Sequence, residues 1–305
     1  MSYTGRAYVG ISRVGPDDGT ASGFNNLSRV FRYVNENGDS LTFLYADGFL
    51  INKPSGIDTL TVRLNEAQGI DQVGSTIQSV NVQSRPVTVS GILVGEFQDE
   101  NKERLLAVVR PDLSARLYAD DYFLDVRPTA TPTIGCQPNF AAFQFTVRAA
   151  YPYWQMSSAA SATLSGVEKG FKFPWNQSRA YRFGRIVRRE FINIHNGGQV
   201  PVPFTVTFTA LAEVKNPKLT DAATNKYLLL NKTLTAGERV VIEITHERTY
   251  VTSSVDGECR GALDLSSGLY RLAVGDNVLK PTADSGRDNL QIDVNYAEEI
   301  VGIAL

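Results

Sequence analysis

Cysteine is scarce: the 305 residues hold two, Cys136 and Cys259. That excludes a disulfide framework, since small stapled scaffolds need several bridges. A single bridge between them is not implied, and free buried thiols are the default reading. Histidine is equally scarce, with only His195 and His246, each near a strand end and without a second His or a Cys at ligand spacing. A zinc site wants several such ligands, so the pattern argues against a metal centre. Basic excess is missing too: Lys+Arg is 30 against Asp+Glu 32, a formal charge of -2. Tight polyanion binding draws on neutralised phosphates and is disfavoured as the main task. No apolar run approaches the roughly 20 residues that cross a bilayer. Met1–Gly10 lacks a basic segment followed by an apolar one, so no secretory signal is expected. Neither GxGxxG nor GxxxxGK[ST] occurs, which removes the commonest phosphate cradles.

What the chain has is alternation. In Phe204–Ala210, Phe204, Val206, Phe208 and Ala210 share one face and three threonines share the other, the pattern of a half-buried strand. The same period appears at Leu60/Val62/Leu64, Phe143/Phe145/Val147, Val240/Ile242/Ile244 and Leu290/Ile292/Val294. Turn residues separate these runs, as at Asn37-Gly38, Asn196-Gly197-Gly198 and Ala236-Gly237. One helix is predicted from Asp99, as cap, to Arg110, with Leu105, Leu106 and Val109 as its apolar stripe and Pro111 as its stop. The fold class expected is mainly β.

The length suggests two domains. A boundary is expected after Tyr151-Pro152-Tyr153-Trp154, because Ser157–Gly166 is rich in Ser, Ala and Gly. The division is residues 1–28 as an arm that orders on a neighbour, 29–155 as the first domain and 156–305 as the second. Tyr151, Pro152, Tyr153, Trp154 and Gly166 are the candidate inter-domain hinge.

Candidate chemistry is thin. No G-x-S-x-G elbow frames a serine. Asp120-Asp121 could supply half of a glycosidase pair, but adjacent strand residues point to opposite faces, so a solvated turn is the default. Asp17-Asp18-Gly19 has too few alternating oxygens for a calcium loop. Tyr151, Tyr153, Trp154, Phe171, Phe173 and Trp175 could form a sugar-stacking platform, but packing at a junction explains the same residues. The sequons at Asn26, Asn176 and Asn231 read as chance matches. No catalytic, cofactor or metal residue is assigned. A scaffold is the leading reading, a carbohydrate-binding module touching host cell-wall glycan the alternative, and a hydrolase with an unseen carboxylate pair the weakest.

The order of several segments resembles the distal tail proteins of long-tailed phages that infect Gram-positive bacteria. Phe31–Gly38 is followed by Gly69-Ile-Asp-Gln-Val-Gly-Ser75 and Arg85-Pro-Val-Thr-Val-Ser-Gly91, similar to that family's "G-x-D-x-x-G-S … R-x-[IV]-x-[IV]-x-G". The helix, Pro111–Leu117, and a strand closing in Tyr151–Trp154 come next. Asn196–Pro203, Leu228–Glu238 and Gly268–Asn277 continue the likeness. The resemblance implies a ring-forming belt domain, a β-sandwich or split barrel with one helix, and a galectin-like or carbohydrate-module-like sandwich after it. It also implies a homohexamer at the tail tip or baseplate of a virion made in the host cytoplasm. Such a ring joins the tail tube protein to the tail-tip (tail-associated lysin) protein and supports receptor-binding proteins. DNA passes through it only transiently. No membrane insertion and no cofactor come with the family, and a nearly neutral protomer suits a passage that must not retain DNA.

Overall fold

The computed structural model describes residues 27, 29–95, 98–136, 140–163, 165–169, 184–188 and 190–304. Most of the expected arm therefore lies outside the described residues, as do Asp17, Asp18, Asn26, Phe171, Phe173, Trp175 and Asn176. The chain divides into two compact units, Met1–Ser157 with Ile300–Leu305, and Ser158–Glu299.

In the first unit the strands are β1 (Phe31–Asn35), β2 (Ser40–Thr42), β3 (Phe49–Ile51), β4 (Val62–Ala67), β5 (Thr76–Val82), β6 (Arg85–Leu93), β7 (Ala115–Ala119), β8 (Tyr122–Pro128), β9 (Thr133–Cys136), β10 (Ala141–Ala149) and β11 (Trp154–Met156), with helix α1 (Gln98–Val108) between β6 and β7. The main sheet runs β2-β1-β7-β8-β10-β6-β3, with β9 added to β10 and β11 to β8. Neighbours are antiparallel, and β6 and β10 pair from Arg85↔Ala149 to Leu93↔Ala141. Alternation explains the core: Phe31 and Tyr33 of β1, Val87 and Val89 of β6, and Phe143, Phe145 and Val147 of β10 all point inward. Ring edges fit against ring faces there, as in Phe43 on Phe49 and Tyr33 on Phe145.

Helix α1 closes this core with Leu105 and Val108, while Val109 just beyond it is also buried. Leu106, expected in the stripe, is exposed instead, because positions 105, 108 and 109 share the face that 3.6-residue periodicity turns inward. The helix starts one residue before Asp99, which lies inside its first turn and pairs with Lys102. Asn101 is buried and donates Nδ2 to the Asp47 carbonyl at 3.1 Å.

The second unit contains β12 (Ala160–Thr163), β13 (Ser165–Lys169), β14 (Gly184–Arg188), β15 (Ile192–Asn196), β16 (Phe204–Ala210), β17 (Val214–Lys215), β18 (Lys218–Asp221), β19 (Tyr227–Leu229), β20 (Thr233–Leu234), β21 (Arg239–Ile244), β22 (Thr249–Ser253), β23 (Gly257–Glu258), β24 (Gly275–Thr282) and β25 (Leu290–Tyr296). One sheet has the order β12-β25-β16-β21-β22-β23 and another β15-β24-β18-β19, with β13-β14 and β17-β20 as hairpin pairs. Phe204, Val206, Phe208, Val240, Ile242, Ile292 and Val294 from the first sheet share a core with Ile192, Ile194, Leu219, Leu228 and Leu279 from the second. Two sheets facing one apolar layer make a β-sandwich. The Ser/Ala-rich stretch after Trp154 includes β12, which pairs with β25 from Ala160↔Tyr296 to Thr163↔Asp293.

Candidate functional site

The strongest departure from the sequence reading lies in β4 and β5. The alternation at Val62 and Leu64 is there, but the face it creates is bare. Val62↔Val82 and Leu64↔Val80 sit directly opposite one another, and their side chains are 42–55% exposed. The register shifts between Asn65 and Glu66, so that Glu66 faces Ile77 and Gln78 is skipped. That bulge changes the parity of β5 and brings Ile77, also exposed, onto the same side as Leu64 and Val80. The other side is polar, with Asn65 donating to Ser79 Oγ at 2.8 Å.

The tip is the Gly69–Ser75 segment of the motif quoted above. Asp71 (φ 63°) and Gly74 (φ 84°) adopt left-handed backbone there. Gln72 braces the loop by accepting from Gly69 N at 2.9 Å and donating to Thr76 Oγ1 at 3.0 Å. Ile70 and Val73 stand fully in solvent. A lone two-stranded ribbon is marginal in water, and a contiguous exposed apolar face marks a binding surface. The second half of the motif is structural. Arg85, Val87 and Val89 are buried, and a side chain at Gly91 would run into the Leu50 carbonyl.

The remaining sequence candidates fall apart as chemistry. Asp120 sits in the β7–β8 turn at φ 52°. It accepts from Val30 N at 3.0 Å and pairs with Arg29 at 3.2 Å. His195 bonds Asp276 at 2.8 Å on the exposed face of β15, and His246 meets the buried Glu299 at 3.0 Å. Among the described residues no group of three His, Cys, Asp or Glu could hold a metal. Cys259 is a half-buried free thiol whose pKa burial raises. Depressions of about 300 and 510 Å³ in the first unit are lined by residues such as Glu36, Arg116 and Asp125, and Tyr45, Asp47 and Glu100.

Of the proposed hinge residues, Trp154 is fully buried in the first core and donates Nε1 to the Ile57 carbonyl at 3.0 Å. Pro152 is buried, and the Tyr151 and Tyr153 rings meet edge-on at 5.4 Å. Gly166 lies on β13, so the change of unit at Ser157/Ser158 falls between the two groups. Trp154 therefore offers no open face to a sugar, whereas Tyr151 and Tyr153 are half-buried.

Sequence reasoning missed two buried polar centres. One is Arg85. The other joins Lys232, Glu238, Ser253 and Asp256. In that cluster burial pushes the Glu238 carboxyl up, but hydrogen bonds from Lys232, Thr235 and Ser253 outweigh it and hold the pKa at about 2. Its signal in the sequence was only a Lys and a Glu six residues apart.

Comparison with known proteins accords with this picture. Residues 197–299 match the family model described as the siphovirus-type tail component, C-terminal domain. The crystal structure of SPP1 Dit (gp 19.1), described as a paradigm of hub adsorption apparatus in phages infecting Gram-positive bacteria, superposes with a TM-score of 0.63 at 14% identity, over 88% of this chain and 99% of that one. The phage P2 baseplate in its activated conformation with Ca gives a TM-score of 0.49 at 11% identity, over 91% of this chain and 100% of that one. No curated protein matches in sequence. Residues 197–299 of the second unit are thus similar to the siphovirus-type tail component domain, and the chain has the fold of Dit, in keeping with its resemblance to the distal tail proteins.

Proposed function

We propose that this protein is a structural hub at the distal end of a phage tail, where six copies close into a ring. In this reading the ring connects the tail tube to the tail-tip protein, carries the receptor-binding proteins and lets DNA through without holding it. The protein performs no bond chemistry. One observation carries the reading: an extended hairpin with a bare apolar face in a chain of Dit-like fold. A closed ring needs one patch to meet a different patch on the next copy. The β4–β5 face supplies one, worth about 1 kcal/mol for each apolar side chain taken out of water. In this reading any swing of the second unit turns at both crossings, Ser157/Ser158 and Glu299/Ile300, because Trp154 and Ile303 are buried in the first core.

The test is mass measurement by light scattering together with negative-stain imaging. The full chain is expected to form a six-fold annulus. Leu64→Ser with Val80→Ser is expected to give monomers with an unchanged circular dichroism spectrum. A wild-type chain that stays monomeric at all concentrations overturns the reading, and a doubly substituted chain that still closes rings removes the hairpin from it.

A further inference from the structure

The end of the chain does not stay with the unit that precedes it. Val301–Ala304 pack with the first unit, from whose other residues they are separated in the chain by the whole of Ser158–Glu299. Three contacts hold the segment. Arg85, 2% exposed, donates Nη2 to the Val301 carbonyl while Nη1 donates to Gly56 and Ile57 carbonyls at 3.2 and 2.8 Å. Ile303, 1% exposed, sits in the first core and donates its N–H to the Ile57 carbonyl at 3.1 Å. Gly302 lies so close to Asp58 that a Cβ would come 2.8 Å from its carbonyl oxygen. The Ile57 carbonyl thereby receives Arg85, Trp154 and Ile303 at one point.

These features describe a binding groove with its own specificity. A buried guanidinium takes a backbone carbonyl, a tight wall admits only glycine, and an apolar socket takes a branched side chain. We propose that this groove is a peptide-binding site whose ligand is the chain's own terminal segment, Ile300–Ala304, and that its occupation completes the first unit. Emptied, the groove would leave a buried guanidinium short of one acceptor and an unfilled socket beside Trp154, both of which destabilise. Residues 300–304 follow the whole second unit in the chain. The first unit is therefore finished only after the whole second unit exists, so unfinished chains lack a completed first unit. This inference is independent of the phage reading, because it rests on contacts inside one copy.

The experiment compares the full chain with one ending at Glu299, by hydrogen exchange read peptide by peptide. Exchange is expected to become about a hundredfold faster around Ile57 and Arg85–Leu93 in the shortened chain. Strands β16 and β25 serve as the internal control and are expected to keep their protection. A synthetic peptide of residues 299–305 is expected to restore protection, and the same peptide with Ile303→Asp to fail. The full chain carrying Ile303→Asp is expected to reproduce the shortened chain's pattern. Unchanged protection in the first unit, equal loss in both units, or no rescue by the unaltered peptide each overturns the proposal.

Discussion

Replacing Glu238 with Gln tests whether the buried cluster of the second unit is an electrostatic lock. The side chain is 2% exposed in its pair with Lys232. Its Oε1 accepts from Lys232 and from Ser253 Oγ at 2.8 Å, and Oε2 accepts from Thr235 N at 3.0 Å and Thr235 Oγ1 at 3.2 Å. Holding the carboxyl at about 2 instead of 4.5 is worth about 3 kcal/mol once it is ionised in both states. The folded pKa is the lower one. The unfolded chain thus binds the extra proton between pH 4.5 and 2, and this stabilisation is full above that window and lost as pH falls through it. Gln keeps the shape but leaves the half-exposed Asp256 as the one remaining counter-charge of the four-residue cluster facing Lys232, so above pH 5 the substitution is expected to cost about 2–3 kcal/mol. Near pH 2 the difference is expected to shrink below about 1 kcal/mol. Urea titrations with pulse-labelling mass spectrometry, read on peptides from β16 and β21, give both numbers. A wild-type-to-variant gap that stays the same from pH 6 to pH 2 would refute the reasoning.

Trp154→Phe removes the N–H that reaches Ile57 along with part of a core side chain. Because Arg85 and Ile303 still bond that carbonyl, the expected loss is about 1–3 kcal/mol, confined to the first unit and measurable by urea titration. Asp120→Ala gives up a residue suited to left-handed backbone together with its bonds to Val30 and Arg29. The expected cost is about 1–2 kcal/mol, and limited proteolysis should cut faster near Val30.

Periodicity located the buried faces wherever a partner sheet exists in the same copy. Phe204, Val206 and Phe208 are fully or almost fully buried. It failed at Leu64 because alternation states that two faces differ, and is silent on what covers the apolar one. Asn101 and Arg85 escaped for a different reason. Their burial depends on the carbonyls of Asp47, Gly56, Ile57 and Val301, and no local pattern encodes partners so far along the chain. The terminal segment was assigned to the second domain by its position, whereas its apolar Ile303 and small Gly302 fit a groove built by residues 56–58, 85 and 154. The motif Gly69–Ser75 was legible as a signature, and only its backbone geometry explains why Asp and Gly stand where they do.

The second unit is spliced into the first, entering at Ser157/Ser158 and leaving at Glu299/Ile300. A protease that nicks the first crossing leaves the second unit tethered only through Ile300–Ala304, whose grip on the first unit is the non-covalent one of Arg85 and the Ile303 socket. A denaturing gel would then register two fragments where a native mass measurement registers one species.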